Sequence, residues 1–230
     1  GAFLYQGLEI PIGGVAGDMF VAAMLSLSPE LLELCKEGVN SIGFSEKVEI
    51  KLVTFNDSIM EGKRFVVENF SAQESHDHVH WSTIKERLLS SSLSSQVQEI
   101  AIEIFSVLAE AEAKVHGIEV QNVAFHEVGA VDSIVDIICA AIIINHFEGC
   151  KWTIGPIPRG SGIVRSQHGA LPVPAPATLH LLNGFKFLED EESGERVTPT
   201  GAAILRYLSP SQAPNLSVLE LIGAGTGFGT

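Results

Sequence analysis

The stretch DSIVDIICAAIIINHFEG, from Asp132 to Gly149, decides how the chain is built. A surface helix carries one apolar stripe and leaves its other face polar. Here the apolar positions run almost all the way round. The spacing therefore predicts a central buried helix over Ser133–Phe147, with Asp132 as N-cap and Gly149 as the stop. Its longest apolar run, Ile137 to Ile144, is far short of the roughly 20 residues a membrane span needs. Such a helix must be wrapped on every side by other elements.

The wrapping elements are legible on both sides of it. Upstream, Val97, Ile100, Ile104, Leu108, Ala111 and Val115 form one stripe on a long helix. Ser95 and Gln98 fit a capping box at its start, and Gly117 fits its end. A shorter helix is expected near Ser82–Leu89, and another over Met19–Lys36. Residues 46–54 alternate as a half-buried strand, and 63–70 read as its hairpin partner across Asn56–Gly62. Residues 2–12 read as a first strand and 217–222 as a last one. Downstream of the buried helix, residues 152–168 are strand-like in places. Pro172, Pro174 and Pro176 suggest an extended stretch. Short helices follow at Ala177–Leu182 and Thr200–Leu208, each with proline near its start. The fold class is α/β (mixed α+β): several long helices on a modest mixed sheet, around one buried helix near 133–147. No internal repeat is visible. The chain reads as a single domain over 1–230, with a sub-boundary in the histidine loop at 71–80, and further chain is expected beyond Thr230.

Composition narrows the functions. Of 230 residues, 46% are hydrophobic, enough for a large core. Acidic residues number 28 against 14 basic, a net charge of −14 with no basic stripe. A surface of that sign repels phosphate backbones and anionic lipid, so neither nucleic acid nor membrane is an expected partner. Cys35, Cys139 and Cys150 make an odd number without a CxxC pair, as in a reduced cytoplasmic protein. The amino terminus lacks the basic and apolar regions of a leader.

Four groups of residues can carry chemistry. His76, His78 and His80 project to one side of an extended backbone, and neutral imidazole suits nickel, zinc and copper. A solvated polar loop is the plainer reading, but three of eight histidines fall within five residues. His126 and Glu127 precede the buried helix, and Asp132 and Asp136 share one of its faces. Asp132 is readily an N-cap. Asp136 sits in an apolar helix, where a carboxylate must be paired, hydrogen-bonded or metal-bound to avoid a cost of several kcal/mol. Gly13, Gly14, Gly17 and Asp18 lie between a strand and a helix, where small residues admit a ligand to the helix amides. A tight turn explains that segment equally well. Finally, Arg159, Gly160, Ser161 and Gly162, with Arg165 and His168, and then Thr198, Thr200 and Gly201, offer two places for an anion; plain turn chemistry is the alternative at each.

Together these blocks resemble one family. Gly14-Val-Ala-Gly17-Asp18-Met19 is similar to its opening motif. Leu108 to Gly117 resembles the end of its long helix, and Phe125 to Ile137 its most distinctive block. Gly160-Ser161-Gly162, the run from His168 to Thr178, and Val197 to Ala203 follow in order. The family comprises the proteins that insert nickel into pyridinium-3,5-bisthiocarboxylic acid mononucleotide to complete the nickel-pincer cofactor of lactate racemase. The resemblance implies a nickel chelatase of the lyase class that forms a carbon–nickel bond, consumes CTP and uses Mn2+ or Mg2+. It implies His76, His78, His80, His126 and Glu127 as metal donors. Asp18, His126, Glu127, Asp132 and Asp136 would be the working centre. Gly14, Gly17, Arg159 to Gly162, His168, Thr198, Thr200 and Gly201 would serve the mononucleotide. The expected partners are the mononucleotide precursor, a separate carboxy-terminal piece of the same family, and further copies of this chain. Two departures stand out: Ile10 replaces the usual aspartate, and Gly13 a small polar residue. Two other readings fit the same residues. One is a nickel store or metallochaperone using the histidine triplet; the other is a metal-dependent nucleotide phosphohydrolase.

Overall fold

The computed structural model describes residues 14–44, 47–69, 79–125, 131–166, 169–213 and 220–230, and the backbone of 5–7. The buried helix is α5, Val131–His146. Every residue from Ile137 to Ile144 is buried. It packs against α1 (Gly17–Leu27), α2 (Leu31–Ser41), α4 (Ser95–His116) and α7 (Pro199–Leu208), and against strand β3 (Glu61–Asn69). The architecture is therefore mixed α/β around one central helix, as expected. Among the described residues, no helix is long and apolar enough to cross a membrane.

Cys35 on α2 and Cys139 on α5 meet in this core, both free and buried. Burial first, and the Cys35 thiol beside it second, push the Cys139 thiol well above its ordinary value. Thiols held that way behave as small hydrophobes.

The hairpin forms where alternation placed it. Strand β2 (Val48–Asn56) pairs antiparallel with β3, Leu52 opposite Phe65. Asn56 and Asp57 side chains accept the turn amides of Ser58, Ile59 and Met60 at 2.8–2.9 Å. The third strand of this sheet is β11 (Gly227–Phe228), parallel to β3. Its glycines let it lie against α1: a side chain on Gly225 or Gly227 would run into α1 backbone.

The remaining strands are short pairs. They are β1 (Tyr5–Gly7) with β6 (Lys151–Thr153), β4 (Val79–His80) with β5 (Ala124–Phe125), β7 (Ile157–Pro158) with β10 (Phe187–Leu188), and β8 (Ile163–Ser166) with β9 (Gly169–Pro172). Two further helices complete the set: α3 (Trp81–Ser90), and α6 (Pro176–Leu181), which starts on its proline.

Several expected boundaries move. The cap of α4 is Ser94, whose hydroxyl accepts the Val97 amide at 3.3 Å. Gln98 turns outward and donates to the Ser91 and Leu93 carbonyls at 3.2 and 3.0 Å, so no capping box forms. Asp132 lies inside the first turn of α5 and is not its cap. The expected last strand at 217–222 does not appear at 220–222, where Leu221 and Ile222 stand 84% and 81% exposed; 214–219 lie outside the described residues. Of the first strand only β1 is described. Of the proline stretch, Pro172 ends β9 and Pro176 opens α6, with 173–175 as the link between them.

Candidate functional site

The site begins with two loops that zip together. Val15 donates its amide to the Arg196 carbonyl at 2.7 Å and accepts the Thr198 amide at 3.0 Å. That short parallel bridge, Val15 to Val197, sets the starts of α1 and α7 side by side. Gly14 holds φ at 103° and lies so close to the Arg196 carbonyl that any side chain would collide with it. A Cβ on Gly201 would come within 2.5 Å of the Val15 oxygen. A Cβ on Gly17 would meet the Thr200 methyl at 2.7 Å and the Asp136 Cβ at 3.1 Å. Thr198 caps α7, accepting the Gly201 amide at 3.1 Å. These residues let three helix starts, those of α1, α5 and α7, converge.

A pocket of about 440 Å3 opens where they meet. Its walls include Gly17 and Asp18 of α1, Asp132 and Asp136 of α5, and Thr198 and Thr200 at α7, with Phe65 of β3 behind. The first amides of each helix lack intrahelical partners and carry partial positive charge. Against them stand two exposed or half-exposed carboxylates, Asp18 and Asp132, and the carboxyl group of Asp136. Asp18 is held by its neighbours: Oδ1 accepts the Met19 amide at 2.9 Å, and Oδ2 accepts both the amide and the hydroxyl of Thr230 at 2.8 Å. Asp136 has no such support. Its Oδ1 is closed off from solvent and has no hydrogen-bond partner among the described residues. Burial pushes its carboxyl up to about 9, with the Asp18 and Asp132 charges adding to the effect. It is an uncharged acid at neutral pH.

Gly14, Gly17, Asp18, Asp132, Asp136, Thr198, Thr200 and Gly201 are thus brought together, although they come from three distant segments. The Arg159–Gly162 group is not part of the pocket. Arg159 pairs with Glu189 at 2.8 Å. Ser161 exchanges backbone hydrogen bonds with Gly194, and Gly160 packs on the Arg196 side chain. This segment packs on the run that leads into α7. His80 is exposed and starts α3, and its strand β4 pairs with β5. His76, His78, His126, Glu127 and His168 lie outside the described residues. Among the described residues no group of three or more His, Cys, Asp or Glu is arranged to hold a metal ion.

Sequence reasoning missed Phe65, Glu195 and Thr230 as wall residues, and Arg196 behind them. Arg196 is 7% exposed; it pairs with Asp190 at 3.1 Å and keeps Nη2 buried without a partner. None of the four sits in a motif: the pairing of 14–16 with 196–198 brings in Glu195 and Arg196, β3 brings Phe65, and hydrogen bonds to Asp18 bring Thr230.

Fold and pocket define an α/β protein with a pocket assembled from three helix starts. The chain belongs to the nickel insertion protein family, whose model matches residues 8–230. It is 42% identical over 220 residues to a protein of Geotalea uraniireducens named "Putative nickel insertion protein", covering 93% of this chain and 54% of that one. Proteins of the same name from Geobacter metallireducens and Methanocaldococcus jannaschii are 43% and 37% identical, covering 94% of this chain and 55% and 56% of theirs. The chain spans about half the length of these curated relatives. No solved structure matches it.

Proposed function

We propose that this chain acts in the cytoplasm as the amino-terminal, single-domain part of a CTP-dependent nickel chelatase. Its substrate in this reading is pyridinium-3,5-bisthiocarboxylic acid mononucleotide, and its product the nickel-pincer cofactor. The observation that carries the reading is the pocket: three of the blocks that resemble the family, Gly14–Met19, Phe125–Ile137 and Val197–Ala203, contribute to its walls. Nickel is cargo here, and soft thiocarboxylate sulfur competes well for it against imidazole. The donors are His76, His78, His80, His126 and Glu127. What supports grouping them is the β4–β5 ladder, which sets His80 opposite Ala124, two residues before His126. Forming a carbon–nickel bond releases the proton that the ring carbon carried, and the block from His126 to Asp136 supplies its acceptor. CTP and Mn2+ or Mg2+ complete the reaction, together with the half of the relatives that this chain does not span.

The test starts with nickel calorimetry at neutral pH on the wild type and on a His76→Ala/His78→Ala/His80→Ala variant. Tight binding in the wild type, weakened at least tenfold in the variant, is expected. Transfer to the precursor is then measured with CTP and manganese, with and without the remaining half of a relative supplied. Nickel binding that CTP and precursor never influence, with no transfer under any condition, identifies a nickel store instead.

A further inference from the structure

We propose that residues 226–230 form a strap whose two positioning residues, Arg64 beneath it and Thr230 on it, fix the Asp18 carboxylate in the pocket wall. The strap is seated on the hairpin by backbone and by rings. Lys63 donates its amide to the Thr226 carbonyl at 2.9 Å, and Gly227 and Phe228 pair in parallel with Lys63 and Arg64. Phe228 sets its ring edge-on to Phe55, with centroids 5.1 Å apart. A Cβ on Gly62 would come within 2.6 Å of the Phe228 ring, so the missing side chain makes its seat. The Arg64 guanidinium lies over the Phe55 ring, 3.5 Å from its centroid, and Nε donates to the Gly229 carbonyl at 2.9 Å. On the opposite side Gly227 lies flush on α1, where any side chain would strike the Met19 carbonyl.

Fastened in this way, the strap presents Thr230 to Asp18. The Thr230 amide and hydroxyl both donate to Oδ2 at 2.8 Å, across 212 positions of sequence. The bond to Oδ1, from the Met19 amide at 2.9 Å, comes from the next residue and turns with the backbone that carries Asp18. That local bond alone leaves the carboxylate plane weakly determined. Two charge-assisted bonds from a separate element determine it. Asp18 is only half-buried, so packing does not lock its rotamer. A functional group needs a supporting shell that holds it within about 0.5 Å of its working geometry. Arg64 lies outside the pocket wall and acts through the strap. Asp18 belongs to the working centre of the proposed chelatase, so the consequence for rate rests on that reading, whereas the orientation of the carboxylate does not.

The test follows the carboxylate itself. The full chain is labelled with carbon-13 at its aspartate carboxyl carbons, and the Asp18 resonance is identified by its loss in Asp18→Asn. Thr230→Val keeps the shape of the side chain and removes the hydroxyl bond. Arg64→Met removes the hold on Gly229. Both should shift the Asp18 resonance toward that of aspartate in an unfolded peptide, while melting as cooperatively as the wild type. Thr230→Ser, which restores the hydroxyl without the methyl, should leave the resonance in place. In the transfer assay, Thr230→Val should lower kcat roughly tenfold with KM for the precursor unchanged, and Thr230→Ser should recover it. An Asp18 resonance that stays put in both Thr230→Val and Arg64→Met, or that moves as far in Thr230→Ser, overturns the proposal. So does a loss of kcat that serine fails to recover. A wild type that never transfers nickel removes the chelatase reading alone, and the carboxyl resonance then decides the role of the strap.

Discussion

Asp136 is where sequence and structure meet most closely at the residue scale. A lone carboxylate in an apolar run is conspicuous, and the cost of burying it marks the position for function or pairing. What the run could not disclose is that Oδ1 finds no partner among the described residues. The consequence for stability has a definite sign. The folded carboxyl titrates near 9, far above its ordinary 3.8. Between those values the native state holds a proton that the unfolded chain has lost, so stability falls as pH rises through that window. Below about pH 4 the penalty is absent, and above about 9 it is complete. Asp136→Asn removes the slope. Its melting temperature should exceed that of the wild type at pH 8 by about 4 °C or less per kcal/mol recovered, and the two should converge near pH 4. Parallel melting curves across the range would mean that Asp136 is already ionised or paired. Arg196, buried behind the pocket, was invisible by contrast: an arginine among acidic residues reads as surface.

At the scale of elements, the decisive contact is between the two helix starts. Val15 pairing with Val197 fixes α1 against α7, and Gly201 makes room for it. Gly201→Ala places a methyl against the Val15 carbonyl, and backbone cannot yield as a flexible side chain does. The expected loss is about 2–3 kcal/mol, typical of overpacking, and urea titration measures it. Thr198→Ala removes only the cap and should cost about 1 kcal/mol with the pocket intact. Equal costs for the two would show that the helices tolerate separation. Most helices and the hairpin were legible because their periodicities are local, but the run expected as one helix over Met19–Lys36 is two, α1 and α2, broken between Leu27 and Leu31. Caps were less so: Ser94 and Ser95 are adjacent and chemically identical, and the cap chosen depends on where the chain enters the helix. The two-residue strands were legible nowhere, since their pairing is decided by partners far along the chain.

For the whole molecule, the charge of −14 sets a background of self-repulsion. The cross-links that oppose it, such as Lys51–Glu68 and Arg159–Glu189, are exposed and contribute little. Raising sodium chloride from 0.02 to about 0.5 M should therefore raise the melting temperature, since screening acts mainly on the repulsion. A fall would mean that the ion pairs outweigh it. The class of fold followed from one buried helix. The site did not follow from the sequence as a place, because its glycines, threonines and aspartates are scattered across three segments and only packing unites them. That scattering also governs how the protein is made. Helix α1 leaves the ribosome early, yet its glycine-rich start has no counterpart until α7 is synthesised. At about 5–20 residues per second, that interval is roughly ten to forty seconds. During it α1 can pack on β3 and α5, but its start lacks the α7 partner that completes the pocket, a period in which chaperones have their best chance to engage it.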